Sequence, residues 1–234
     1  MPYPQVVHLP GRGRRAPSVP EGDALRPPLT DLHPLRSADP GATGFVLSLL
    51  SLGQRPVLWV QDRLSRREAG ALYLPGLGHM ASGLRILQVR VSHPRDVLWA
   101  MEEGASCAAL SAVVGEIHGA PAALDFTATK RLAIRAERSG VPVYLIRGAD
   151  PGVLSAARMR WRVASLPSQA HPHDPRAPGW AQWDAELFRA QGRAPGRWVA
   201  RHDPGTADRL SLVSRPDDRA VETGGAAISD AAGS

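Results

Sequence analysis

The chain has 234 residues, 43% of them apolar, and a formal net charge of +6 at pH 7. This size suits one α/β domain with tails and allows a sizeable buried core. No apolar run reaches the roughly 18 residues that cross a bilayer, and no secretory signal is recognisable. The single cysteine, Cys107, excludes an internal disulfide and a multi-cysteine zinc site. We therefore expect a cytoplasmic protein without membrane contact.

Both ends of the chain have the composition of tails. Residues 1–24 are rich in proline, glycine and arginine and have no apolar period, which predicts a flexible basic arm. Residues 205–234 end in a low-complexity polar stretch, which predicts a disordered tail. Residues 25–204 therefore form the predicted folded domain.

Strand and helix signals alternate through the first part of this domain. Pro94 in a first turn and Gly104 after a last turn predict one helix. Asp125 or Thr127 can cap another helix, which Gly140 ends. The predicted helices are 43–52, 94–104 and 125–138, and the predicted strands are 56–61, 84–91, 109–116 and 141–146.

The pattern changes towards the C-terminus. Residues 159–166 alternate between side-chain types, and 182–189 and 196–201 are also strand-like. Because no helix-length segment separates the last two strands, they should pair antiparallel. The sequence therefore predicts an α/β fold with a mostly parallel sheet flanked by helices, followed by C-terminal antiparallel strands.

A nucleotide-binding P-loop is excluded by the lysine content. That loop needs a lysine directly after a glycine-rich turn, and the only lysine, Lys130, follows Thr127-Ala-Thr129. Residues 39–45 do hold glycines before a helix, with Gly41, Thr43 and Gly44 as degenerate phosphate-loop positions. Since Phe45 stands where a cation is needed, a tight loop entering a core helix is the favoured interpretation.

Other candidate groups carry no strong chemical signal. Asp62 and Glu116 follow predicted strands, where carboxylates could hold a metal or activate water, but without a neighbouring cation we favour polar residues with no catalytic role. The His171-Pro-His173-Asp174 segment lies in a proline-rich loop without a cysteine partner, and Cys107 is expected to be a small core residue. We therefore expect no metal and no cofactor.

Arginines dominate the later strands. Arg158, Arg160 and Arg162 alternate, so they should share one face while Trp161 and Val163 point the other way. Such a face can bind phosphate backbones or acidic protein surfaces, or it can be a solvated strand face. The skew from lysine to arginine also fits a GC-rich genome, and both interpretations remain open.

The ordered elements resemble a known family. The segments that carry the resemblance are 56–62, 95–104, 112–116, 124–132 and 156–163, within a similarity that spans roughly 29–201. Together they resemble the ImuA family, the RecA-like proteins of SOS-induced bacterial mutagenesis cassettes, which are related to SulA-type cell-division inhibitors. The resemblance implies a RecA-like core.

The resemblance also implies site positions. It places residues 39–44 at the nucleotide loop, Asp62 near the catalytic glutamate, Glu116 at the Walker B acid, and Arg147 at the end of the strand that carries a nucleotide-sensing glutamine in RecA. Since the lysine is missing and Arg147 is a different group, we expect no enzymatic activity.

The implied role is that of an accessory protein in translesion synthesis and mutagenic DNA repair. Its implied partners are an ImuB-like homologue of Y-family polymerases, an error-prone replicative-type polymerase and RecA, with DNA as a further candidate. Two alternatives stay open. One is a SulA-type inhibitor of cell division, and the other is a divergent nucleotide-dependent ATPase that uses Asp62 and Glu116.

Overall fold

The computed structural model describes residues 19–20, 22–81, 83–174, 176–205 and 209–214. Within them, the α-helices are Gly41–Leu49 (α1), Arg63–Ala69 (α2), Pro94–Ala105 (α3) and Phe126–Ser139 (α4). The strands are Leu29–Pro34 (β1), Val57–Gln61 (β2), Ile86–Arg90 (β3), Ala112–His118 (β4), Val143–Gly148 (β5), Met159–Leu166 (β6), Gln182–Ala190 (β7), Gly196–His202 (β8) and Leu210–Ser214 (β9). None of the helices in this part of the chain is long and apolar enough to cross a membrane.

All the described strands belong to one nine-stranded sheet with the order β3-β2-β4-β5-β1-β6-β7-β8-β9. The strands from β3 to β6 are parallel, and β7, β8 and β9 add antiparallel pairs. The predicted mixed fold, a mostly parallel sheet flanked by helices with antiparallel strands at its end, is therefore confirmed. The predicted antiparallel pairing of β7 with β8 is also confirmed.

The sheet is covered on its two faces by different helices. Helix α1 packs against β1, β6, β8 and β9, whereas α3 packs on β2 and β4, and α4 packs on β1 and β5. Two apolar clusters result, one on the α1 side around Phe45, Trp161 and Trp198, and one on the α3 and α4 side around Met101 and Leu132. The alternation of side chains along each strand supplies both clusters.

Local signals explain where α4 begins and ends. The Asp125 carboxylate accepts a hydrogen bond of 2.7 Å from the Ala128 amide and so caps the helix. Gly140 follows with a left-handed φ of 73°, a conformation that glycine adopts at little cost. Of the two predicted caps, Asp125 is therefore the one used.

The folded domain is larger than the predicted one at both ends. Val19 packs against the α1-side core, so the predicted free arm does not extend to residue 24. Leu210 is buried, and β9 pairs with β8, so the domain continues to Ser214 rather than ending at 204. Residues 1–18 and 215–234 of the predicted tails lie outside the described residues.

Candidate functional site at the carboxyl edge of the sheet

The carboxyl ends of the central strands meet around a small cavity. Its volume is about 20 Å³, which leaves room for about one water molecule. It lies between the loop after β1, the first turn of α1, α2 and the ends of β4 and β5. The lining residues are Pro34, Ser37, Asp39, Pro40, Ala42, Thr43, Ser65, Ala69, Glu116, Ile117, His118, Ile146 and Gly148.

The Asp39 carboxylate closes the loop before α1. It accepts hydrogen bonds from the Gly41 amide at 2.8 Å and from the Ser165 amide at 2.9 Å, and the Ser165 hydroxyl donates a third. Burial alone would raise the pKa of Asp39, but the hydrogen bonds from Ser165 and Gly41 outweigh it, so the pKa lies below its usual value. An internal anion therefore uses donors that a bound phosphate would need.

The positions that the sequence suggested as a degenerate phosphate loop have packing roles. Gly41 starts α1, and Thr43 lines the cavity. A Cβ added at Gly44 would come within 2.8 Å of the Trp183 ring, so this glycine is required by close packing against β7. Phe45 is fully buried beside Trp161. These contacts match the interpretation of a tight loop that enters a core helix.

Asp62 is the N-cap of α2. One of its carboxylate oxygens accepts a hydrogen bond from the Ser65 amide at 2.8 Å, as expected for an N-cap aspartate. The Ser65 hydroxyl in turn donates to the Glu116 carbonyl oxygen at 3.0 Å. The two strand-end acids that the sequence singled out are therefore brought together, and Ser65 connects them.

Glu116 lies within β4 and is almost fully buried. The Trp59 indole donates a hydrogen bond of 2.6 Å to its carboxyl group. Burial raises the pKa of Glu116 to about 7, hydrogen bonds from Trp59 and Gln61 oppose this effect, and the nearby Asp62 charge adds to it. Near neutral pH this carboxyl group can therefore hold or release a proton.

Arg147 does not reach the cavity. Its side chain is fully buried on the other face of the sheet, where it pairs with Asp31 at 2.8 Å and with Asp150. Arg160 lies 3.4 Å from the same Asp31 carboxylate. Arg147, which the resemblance aligns with a nucleotide-sensing glutamine, is therefore part of a buried group of four charged side chains, which we call the charge cluster: Asp31, Arg147, Asp150 and Arg160.

The three alternating arginines differ in exposure. As predicted, Trp161 and Val163 are buried on the opposite side of β6. Arg160, however, is only 4% exposed, because its guanidinium lies 3.4 Å from the Asp31 carboxylate and 3.3 Å from the His33 ring. Arg158 and Arg162 are exposed. The predicted binding role at the surface is therefore wrong for Arg160 and remains a prediction for Arg158 and Arg162.

The remaining candidates form no site in the described residues. The His171 ring accepts hydrogen bonds from the His173 and Asp174 amides, which makes a local turn. No group of three or more histidine, cysteine, aspartate or glutamate side chains in the described part of the chain is arranged to hold a metal ion. Cys107 is exposed, so its assignment to the core was wrong.

Sequence reasoning missed the charge cluster and the bond between Asp39 and Ser165. Asp31 lies in a strand that the sequence did not predict, and Ser165 is far from Asp39 in the chain. No local signal marks this strand, because Leu29-Thr-Asp-Leu-His33 does not alternate between apolar and polar residues. A comparison with protein-family models matches none of them to this chain, and a comparison with curated proteins also returns no match.

Proposed function

We propose that this chain is a non-catalytic adaptor with a RecA-like core that acts in SOS-induced mutagenic DNA repair in the cytoplasm. The observation that carries the proposal is the closed loop before α1, where Asp39 holds the donors of Gly41 and Ser165. Only about 20 Å³ remains beside it, far less than small-molecule sites occupy. The loop therefore lacks both the lysine side chain and the space that a P-loop uses to hold a nucleotide.

The positions along the sheet edge support the RecA-like part of the proposal. The resemblance aligns residues 39–44, Asp62 and Glu116 with the nucleotide loop, the catalytic acid and the Walker B acid. In the fold, Asp39 and Glu116 line one cavity, and Asp62 contacts it through Ser65. The same edge is where an open α/β sheet binds its ligands, which supports the proposal of a nucleotide site that the contacts of Asp39 have closed.

Recovery of partners tests the adaptor role. The tagged full chain should be isolated from cells before and after DNA damage, with an unrelated protein carrying the same tag as control, and the bound proteins should be identified by mass spectrometry. We expect an ImuB-like Y-family polymerase homologue, an error-prone replicative-type polymerase or RecA. Recovery of division proteins without any repair polymerase would overturn the proposal and favour the SulA-type alternative.

Nucleotide binding tests the non-catalytic part separately. We expect titration calorimetry with magnesium and ATP to show no specific binding to the wild-type chain, since Asp39 occupies the loop. The matched variant is Glu116→Ala, which changes the acid aligned with Walker B. Specific binding by the wild type that this variant loses would establish the divergent ATPase instead.

A further inference from the structure

One face of the antiparallel part of the sheet is not covered by a described helix. Helices α3 and α4 pack on β1, β2, β4 and β5, while on the same side of β6 to β9 Arg160 and Asp184 are buried and the other described side chains are partly or fully exposed. Antiparallel sheets commonly have one solvated face, so an anionic partner can reach this surface without displacing a described helix. We call it the open face and define it by Arg158, Arg162, Phe188, Arg189, Arg197, Val199 and Arg201.

The register of the strands shows that these residues share one side. Arg162 is opposite Glu186, and Glu186 is opposite Arg197 across the next pair. Arg189 is the register partner of Arg160, whose guanidinium contacts Asp31 on the α4 side of the sheet. The intervening residues of β6 to β8 point into the core beneath α1, so the open face lies on the side opposite α1 and the closed loop.

The open face carries more guanidinium groups than carboxylates. Each acid at this surface is already held by an arginine: Glu137 by Arg158, Glu186 by Arg162 at 3.2 Å, and Asp184 by Arg197. Arg189 is exposed and Arg201 is partly exposed, and the ion pairs formed by the described residues of this surface involve neither of them. The surplus charge therefore remains available to an anionic ligand.

An aromatic ring lies among these arginines. The Arg162 guanidinium stacks 4.2 Å from the centroid of the Phe188 ring, and Arg160 lies 5.2 Å from it. Phe188 is the extra residue at the β-bulge opposite Arg160 and Trp161, which turns its side chain towards the open face. A planar guanidinium supported by a ring is a surface on which flat groups can stack.

We propose that the open face binds single-stranded nucleic acid. Its arginines contact backbone phosphates, and the pair of Phe188 and Arg162 stacks against bases, the combination that single-strand-binding surfaces use. Four strands spaced about 5 Å apart make a surface about 15 Å wide, which is too broad to enter a groove of duplex DNA. The proposal goes beyond the adaptor role, because it assigns a ligand to a surface that the adaptor proposal does not use.

Binding of labelled oligonucleotides tests the proposal. Fluorescence anisotropy should be measured with the full chain and with poly-dT and poly-U of about 20 nucleotides at several salt concentrations. The double variant Arg189→Glu, Arg201→Glu breaks no described ion pair. Its control is Arg67→Glu, Arg95→Glu, which makes the same change in net charge at two highly exposed arginines elsewhere and removes only their surface ion pairs with Glu68 and Asp96, which contribute little to stability.

We expect binding by the wild type and the control, and at least a tenfold loss in the open-face variant. The slope of log K against log salt should fall by about 0.7 for each phosphate contact removed. Phe188→Leu should weaken binding without changing that slope. Equal losses in both double variants, no binding to either oligonucleotide, or binding only to an acidic polypeptide such as poly-glutamate would overturn the proposal, whether or not repair partners are recovered.

Discussion

At the scale of single residues, Glu116 is the group whose chemistry depends most on its surroundings. A carboxyl group that accepts a 2.6 Å hydrogen bond from the Trp59 indole is well oriented, but no cation is among the causes of its pKa shift. Because its ionised form is buried without a counter-charge, folding disfavours ionisation. Its protonation state should therefore be visible in the stability of the whole protein.

The Gln variant of this residue gives a testable pH dependence. The pKa of Glu116 rises from 4.5 when unfolded to about 7 when folded, so in that window the folded state binds a proton that the unfolded state does not. Its contribution to stability is fully present below pH 4.5 and is lost as the pH rises through about 7. Glu116→Gln should therefore gain stability relative to wild type as the pH increases, by on the order of 3 kcal/mol.

Chemical denaturation at a series of pH values measures this difference. Taking the difference between variant and wild type cancels His33, which is present in both. The pKa of His33 is lowered to about 4 by burial and by Arg160, so its own contribution has the opposite sign and is lost as the pH falls below 6.5. A difference that stays flat from about pH 5 to about pH 8 would refute the assignment to Glu116.

The charge cluster leads to a second prediction at this scale. Arg147 is the partner of both Asp31 and Asp150, so Arg147→Leu leaves two buried carboxylates with only Arg160 nearby. We expect it to destabilise the fold by about 3 to 5 kcal/mol. The double variant Asp31→Leu, Arg147→Leu leaves Asp150 and Arg160 balanced and should be more stable than the single variant.

Urea denaturation of the two variants and the wild type measures this order. A double variant that is less stable than Arg147→Leu alone would show that the ion pair itself, rather than the unpaired charge, dominates. Such a cluster could not be predicted from the sequence, since Asp31 and Arg147 are 116 residues apart. The residues next to Asp31 and Arg147 in the chain do not indicate that either side chain is buried and paired with a distant charge.

At the scale of elements, most helices and strands followed from local patterns. The exceptions have physical reasons. Leu29–Pro34 contains a buried aspartate, a histidine and a proline, so its composition hides a central strand. Helix α2, Arg63–Ala69, is short and strongly charged, and β9 has only five residues after a segment that lacks a strand pattern.

The loop before α1 gives the prediction that belongs to this scale. Asp39→Ala removes the acceptor for Gly41 and Ser165 and should destabilise the fold by about 1 to 3 kcal/mol. Ser165→Ala is the matched control: it removes only the hydroxyl donor and keeps the backbone amide bond to Asp39. Its effect on the midpoint of thermal unfolding should therefore be the smaller one, and the reverse order would show that Asp39 does not hold the loop.

At the scale of the whole molecule, the sequence predicts the class of fold but not the order of the strands. Alternation of helix and strand signals implies a parallel sheet, and short spacing implies the antiparallel end. The position of β1 between β5 and β6, however, depends on pairings between segments that are far apart in the chain. The same holds for the candidate site. The sequence singled out Asp62 and Glu116 individually, but the contact between Asp39 and Ser165 depends on β6 lying beside β1.

The C-terminal edge of the sheet supplies the last prediction. A chain that ends at 209 loses β9 and uncovers the core that Leu210 seals, where Leu210 is 5% exposed. Because Leu210 and Leu212 would no longer be buried, we expect the free energy of unfolding to fall by about 2 to 4 kcal/mol. This corresponds to a thermal midpoint lowered by roughly 4 to 16 °C. A chain that ends at 214 keeps every described strand pair and is the control. Both chains lack residues 215–234, so they differ only in β9. A lower midpoint for the chain that ends at 209 would establish that the domain extends past residue 204, whereas equal midpoints would show that β9 adds nothing to the stability of the fold.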